Sequence, residues 1–492
     1  MVIMNLNSDT ASVHISSYGG HLGNVTIQSN GVHTERFSSD FEVLNSGLSR
    51  KGIKVISDQH LSIYGISKHR NGFEGFFSIP TSLQGNHYFV TTGTSSSEIL
   101  VVGIYQDTCV FVILNSNNTR VLYNGNSYSN GSIIKENLNE HSTMQIYSEG
   151  DLSGVEIEAS KTVSVFSGNR VSGPYAGRNH MLEQIPPINQ WTKEYVTAPP
   201  KGYSYDCQIM SGYPDTYVNY TCSENGEEST SLPEAGSFIT LTFGDSVCSL
   251  ISNKPIMVTM IVEKVDRPCL ITVIGLVKMT GGTTVYVPPS IIDAQLVIVS
   301  NGSITVDPVD TSESTHIICP SYINGCVTYV DNLRNEQKYI ISSPEQNYLI
   351  SSFFHGRGSS RRRKIGYPIQ HFNIEMEQTM REDSDVECVE STTDDPELPR
   401  TCQCCSSNNY TTDELDNILQ QLRNELYVQP TKTVRYTRSL ISAPDHRVSS
   451  KVIGYTCGCV IGCLGLCLLV FDRDNILTMM KTIRENLSYK KL

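Results

Sequence analysis

The chain has 492 residues, of which 39% are hydrophobic and 18% charged; this excludes a disordered protein and leaves room for several domains. Its formal net charge of −13 argues against a nucleic-acid partner, which would require a basic face to displace phosphate counterions. The opening segment, MVIMNLNSDTASVHISS, has no charged n-region and no apolar h-region, so it does not read as a signal peptide.

Up to about residue 365 the chain reads as β-structure. Short runs of Val, Ile, Thr, Tyr and Phe, such as YFVTTGTSSSEILVVGIY and GSFITLTFGD, alternate with Gly, Asn and Ser clusters. That spacing predicts tandem antiparallel β-sandwich-like modules rather than alternating βα units. A repeat supports this: VISDQHLSIYGIS from Val55, IEASKTVSVFSGN from Ile157 and LISNKPIMVTMIV from Leu250 share one pattern. Ser57, Ala159 and Ser252 fall at equivalent places, 102 and 93 residues apart (159 − 57 and 252 − 159). YIISSPEQNYLISSFFHG, from Tyr339, is a poorer match to the same pattern.

Seven cysteines are scattered through this region, at 109, 207, 222, 248, 269, 319 and 326, and four more crowd between 388 and 405. The Cys402–Cys405 spacing within CQCC has no second Cys-x-x-Cys pair to complete a metal site and no two histidines sit at metal-ligand spacing, so disulfides are expected, with no metal and no cofactor. Asn24, Asn117, Asn130, Asn219, Asn301 and Asn409 each begin an N-x-S/T triplet and are candidate glycosylation sites. Together the cysteines and sequons indicate a secreted or lumenal ectodomain.

TFGDSVC resembles the Gly-Asp-Ser block of SGNH-type hydrolases, but Ser246 sits in a strand pattern and no Asp-x-x-His follows to activate it. HMLEQIPPINQWTKEYV, residues 180–196, holds the single tryptophan of the chain. Its Pro-Pro pair blocks ladder pairing, which reads as a connection between strands with Trp191 covering the end of a core; a ligand role for His180 or Trp191 is the alternative.

Beyond 365 the character changes. GRGSSRRRKIG is a basic junction, with Arg361 to Lys364 as an imperfect protease site, and 366–410 is an acidic, cysteine-containing spacer. Residues 411–428 place Leu415, Ile418, Leu419, Leu422 and Leu426 on one face behind a Thr411/Glu414 capping box, which predicts a short juxtamembrane helix. A polar stalk, 429–451, leads to VIGYTCGCVIGCLGLCLLVF, 452–471, an uncharged run long enough for a single C-terminal transmembrane helix. Gly454, Gly458 and Gly462 form a stripe suited to close helix packing and a homodimer, and Cys467 is a palmitoylation candidate. The remaining 472–492 form the cytoplasmic tail.

KTVSVFSGNR followed by LEQIPPINQWTKEY resembles the signature of the IgG Fc-binding protein N-terminal domain family, with the likeness covering about residues 50–350. Phe166, Ser167, Gly168, Leu182, Glu183, Gln184, Pro186, Pro187, Trp191 and Lys193 are the positions that match, and they read as structural. Family members often carry a cysteine after the Ser-Gly element and another before the Leu-x-Glu-Gln run; Val171 and Asn179 stand there instead, and Thr192 replaces the usual glycine. The ending resembles that of membrane-anchored invertebrate relatives.

The resemblance implies extracellular binding or adhesion, not catalysis. The expected protein is a single-pass type I protein of the plasma membrane, whose 1–365 ectodomain binds an extracellular protein or glycan. A tail-anchored, cytosol-facing scaffold is the alternative, and an extracellular hydrolase the remote one.

Overall fold

Four strands of unusual length organise the molecule. In the computed structural model these are Ile53–Ser57 continued by Leu61–His69, then Glu156–Ser172, Cys248–Val262, and Lys338–Ser342 continued by Tyr348–Gly358. The structure describes residues 1–69, 72–115, 120–172, 179–223, 226–262, 268–279, 283–289, 291–308, 315–344, 348–358 and 364–369, together with Lys481. Apart from short 3-10 turns such as Ser39–Phe41 and Ile188–Gln190, the elements up to 369 are strands, and the fold is mainly β.

Each long strand changes partners half-way. The first and fourth are split between two sheets, whereas Glu156–Ser172 and Cys248–Val262 each run through one sheet, pairing with Thr108–Ile113 and Thr216–Ser223 in their first halves and with Ser97–Gly103 and Tyr205–Ser211 in their second, so a bend between the halves carries the chain across a sandwich. The register recurs from module to module. Ser57, Ala159 and Ser252 lie opposite Val13, Val110 and Val218, three buried valines. Four positions later Leu61, Val163 and Ile256 lie opposite Asn5, Gly103 and Ser211. The poorly matching fourth segment takes the same place: Ile341 faces Val306 and Ile350 faces Ser300, nine positions on rather than four.

A tyrosine closes the bend in the second and third modules. Tyr88 and Tyr195 lie opposite Ile157 and Leu250, in matching positions on neighbouring strands. The Tyr88 hydroxyl donates to the Val163 carbonyl at 2.7 Å and accepts from the Gly85 N–H at 2.9 Å. The Tyr195 hydroxyl donates to the Ile256 carbonyl at 2.6 Å and accepts from the Thr192 N–H at 3.2 Å. Backbone groups that lose their ladder partners at the bend are thereby satisfied.

The interior of each sandwich follows from period-2 alternation. In Ala11–Ser17 and Ser97–Gly103 every second side chain is buried. Ile3, Ala11, Val13, Ile15 and Ile27 fill the first module, while the second and third have larger cores.

Each module ends in a strand hydrogen-bonded to its long strand: Gly72–Phe77, Asn179–Gln184, Cys269–Val273 and Lys364–Ile369. These four inner strands touch in order, first to second, second to third, third to fourth, and fourth back to first. The modules therefore close into a ring. Its closing joint is apolar: Val2, Met4, Tyr64 and Phe77 of the first module share one core with Leu296, Ile298 and Phe354 of the fourth.

Residues 180–196 depart from the reading as a connection. Strands Asn179–Gln184 and Thr192–Thr197 occupy both ends, and only the segment between them is irregular. The ladder ends at the Phe166–Gln184 pair because two prolines follow it. Among the described residues no helix is long and apolar enough to cross a membrane. The helix expected over 411–428 and the span over 452–471, with Gly454, Gly458, Gly462 and Cys467, lie outside the described residues.

Candidate functional site

The motif residues divide between the core of the second module and its joints with the first and third. Ser167 is fully buried, and its hydroxyl donates to the Thr91 carbonyl at 2.6 Å. Gly168 faces Leu182 so closely that a Cβ would strike the Met181 carbonyl. Phe166 meets Phe76 of the first module edge to face, with centroids 4.9 Å apart. The Gln184 side-chain oxygen accepts from the Ile79 N–H at 2.9 Å, which fixes the linker between the first two modules.

Glu183 is 0% exposed and accepts from the Thr272 N–H of the third module at 3.3 Å. Burial holds its carboxyl well above the usual range, and the neighbouring Glu74 carboxyl pushes the same way. Trp191 is buried, donates from its indole N–H to the Pro186 carbonyl at 3.0 Å and lies 6.4 Å from Phe89, within the second module's core. The Pro187 carbonyl accepts from the Gln190 N–H, and the Pro187 ring packs on Gly85. Lys193 is exposed, while its carbonyl accepts from Ser252. Phe166, Glu183 and Gln184 thus join neighbouring modules, while Ser167, Gly168, Pro187 and Trp191 pack within the second.

His180 lies 3.1 Å from Glu98, which Gln145 also donates to, so its ring is committed within the second module. Ser246 sits in the turn between Phe238–Gly244 and Cys248–Val262; its N–H is bound to the Phe243 carbonyl and its own carbonyl accepts from Tyr205. Asn24, Asn130, Asn219 and Asn301 are all exposed, whereas Asn117 and Asn409 lie outside the described residues.

Among the described residues two disulfides are present, Cys222–Cys248 and Cys319–Cys326. Cys109, Cys207 and Cys269 are buried thiols, and burial raises the Cys207 thiol far above its ordinary range.

Two side-chain groupings have no counterpart in the motifs. On the outer face of the second module, His87, Glu156 and Glu158 bring their ligand atoms within 4.8 Å of one another, with a 2.8 Å hydrogen bond between His87 and Glu156. The strand pairing that creates the group sets Glu158 opposite His87, a juxtaposition that spacing along one strand does not reveal. The other is a polar cavity of about 340 Å³ lined by Ser17, Tyr18, Arg50, Gln106, Asn139 and His141 among others. Its residues come from both the first and the second module, and no local signal in the sequence connects them.

The family model for the IgGFc binding protein matches residues 74–338. Human IgGFc-binding protein is 27% identical over 227 residues, which is 45% of this chain and 4% of that protein. This chain therefore spans a small fraction of that relative's length. A solved tetra-tandem repeat from the extending region of a large adhesion protein covers 74% of this chain and 92% of its own, at 10% identity and a TM-score of 0.09, which carries no argument about the fold. The family match takes in more than half the chain and includes the whole Ser167 to Lys193 motif, and on it this protein belongs to the IgGFc-binding protein family.

Proposed function

We propose that this chain is a single-pass cell-surface protein whose ring of β-modules lies outside the cell and binds an extracellular protein or glycan. Binding rather than catalysis is the activity its family suggests. The observation that carries the reading is the pair of disulfides, because such bonds form and persist in an oxidising compartment and are rare in the cytosol. The four exposed sequon asparagines agree with it, since a glycan must attach to an accessible side chain. The apolar run 452–471 would be the anchor, and its glycine stripe would let two copies pair in the membrane.

The test is topological. The protein, expressed in cells from the complete transcript with a C-terminal tag, is treated with an N-glycosidase. We expect a mobility shift that is reduced stepwise by Asn130→Gln, Asn219→Gln and Asn301→Gln. No shift, with residues 1–369 open to protease in cells permeabilised only at the plasma membrane, would make the protein cytosol-facing and end this reading.

A further inference from the structure

The cavity between the first and second modules holds a guanidinium that its one lining acid does not neutralise by direct pairing. The protein carries a net −13, yet the acid lining the cavity, Glu140, is paired to Lys54 at 2.5 Å, and that hydrogen bond holds its carboxyl below the usual range. Arg50 has no carboxylate partner among the described residues. Its guanidinium lies 4.2 Å over the Tyr18 ring and donates to the Tyr18 hydroxyl, so the plane of the fork is held while its other N–H groups remain for a ligand. Lys161, outside the lining, is bound to the carbonyl of the lining residue Gln106 at 2.7 Å.

The neutral groups are oriented as well. The Asn139 side-chain oxygen accepts from the Asp107 N–H at 2.9 Å, which leaves its NH₂ as a donor. His141 Nδ1 is 3.2 Å from the Gly52 carbonyl, an acceptor only, so Nδ1 carries a proton and the orientation of the ring is fixed. An acidic peptide side chain could accept from Arg50 and Asn139 but carries no hydroxyl to engage the rest of the lining. A guanidinium, an amide donor and an oriented imidazole around one concavity of about 340 Å³ match a ligand that carries a carboxylate beside several hydroxyls.

We infer that this cavity binds a carboxylated sugar, with Arg50 holding the carboxylate and Asn139 and His141 reading the hydroxyls. The inference rests on the extracellular reading above and names the chemistry of its ligand. A terminal sialic acid and a uronic acid share that chemistry, and the experiment separates them.

Purified full-length protein is titrated with 3′-sialyllactose, a hyaluronan tetrasaccharide, lactose and a hexaglutamate peptide, with binding read by calorimetry. One of the two acidic sugars should bind at least tenfold more tightly than lactose and hexaglutamate. Arg50→Met should weaken it about tenfold or more, as expected for a lost charge-assisted bond, and Asn139→Ala several-fold. Arg50 is exposed, so an unchanged thermal midpoint would show that its variant is folded. The inference is overturned if neither acidic sugar binds, if lactose or hexaglutamate binds as well, or if both variants bind like the parent. A binding failure beside a positive glycosidase shift would remove this ligand and leave the cell-surface reading standing.

Discussion

Glu183 shows what the family motif does at the level of single groups. It is a carboxyl with no exposed surface, held by one N–H from the next module and close to Glu74, also fully buried. Desolvation is the larger cause of its raised pKa and the Glu74 charge the second, while the Thr272 N–H opposes both. The folded state thus retains a proton that the unfolded chain releases near the ordinary carboxylate value. Its contribution to stability is fully present below that value and is lost as the pH rises through the folded one. The thermal midpoint should accordingly fall between pH 4 and neutrality, and Glu183→Gln should flatten that slope and be the more stable protein at neutral pH. Parallel melting curves for the two across the range would place the proton elsewhere. The motif marks Glu183 in the sequence, but nothing there tells that its partner is Thr272, some ninety positions on, because that contact exists only across the joint between modules.

At the scale of the strand, the bend is the feature that repeats. Tyr88 and Tyr195 each supply a hydroxyl to a backbone carbonyl and an N–H that the ladder abandons there. Tyr88→Phe or Tyr195→Phe should cost about 1–3 kcal/mol, the desolvation penalty of buried backbone groups left unpaired. The two sites share no partner, so the double variant should lose the sum, read from denaturation midpoints. A double variant no worse than either single one would show that the bends are not independent. Three copies of the bend were legible as a repeat because four residues separate Ser57 from Leu61 and its two counterparts. The fourth was obscured by a longer connection, from Ile341 to Ile350, which breaks the pattern while preserving the register on either side. The tyrosines gave no such signal, since each sits on the strand that precedes its module's long strand by some seventy residues or fewer and shares only one letter with its counterpart.

For the whole molecule, the ring sets a boundary that similarity does not. The family match, 74–338, begins inside the first module's inner strand and stops where the fourth module's long strand starts. A fragment cut to those limits loses Val2, Met4 and Tyr64 together with Phe353 and Phe354, leaving both faces of the closing joint without their partners. It should aggregate or remain expanded, whereas residues 1–369 should elute as a compact species with a cooperative melt; a well-folded 74–338 fragment would show that the ring is dispensable. Ring closure was not legible in the sequence because GFEGFF, NHMLEQ, CLITV and KIGYPI share no residue pattern, and their kinship lies in which long strand each one borders. The joint between Gly72–Phe77 and Lys364–Ile369 also has a consequence in time. The ribosome delivers one side of that joint early and the other nearly three hundred codons later. Throughout that interval the first module carries an apolar face with nothing to cover it, which makes the nascent chain a client for chaperones until its last strand arrives.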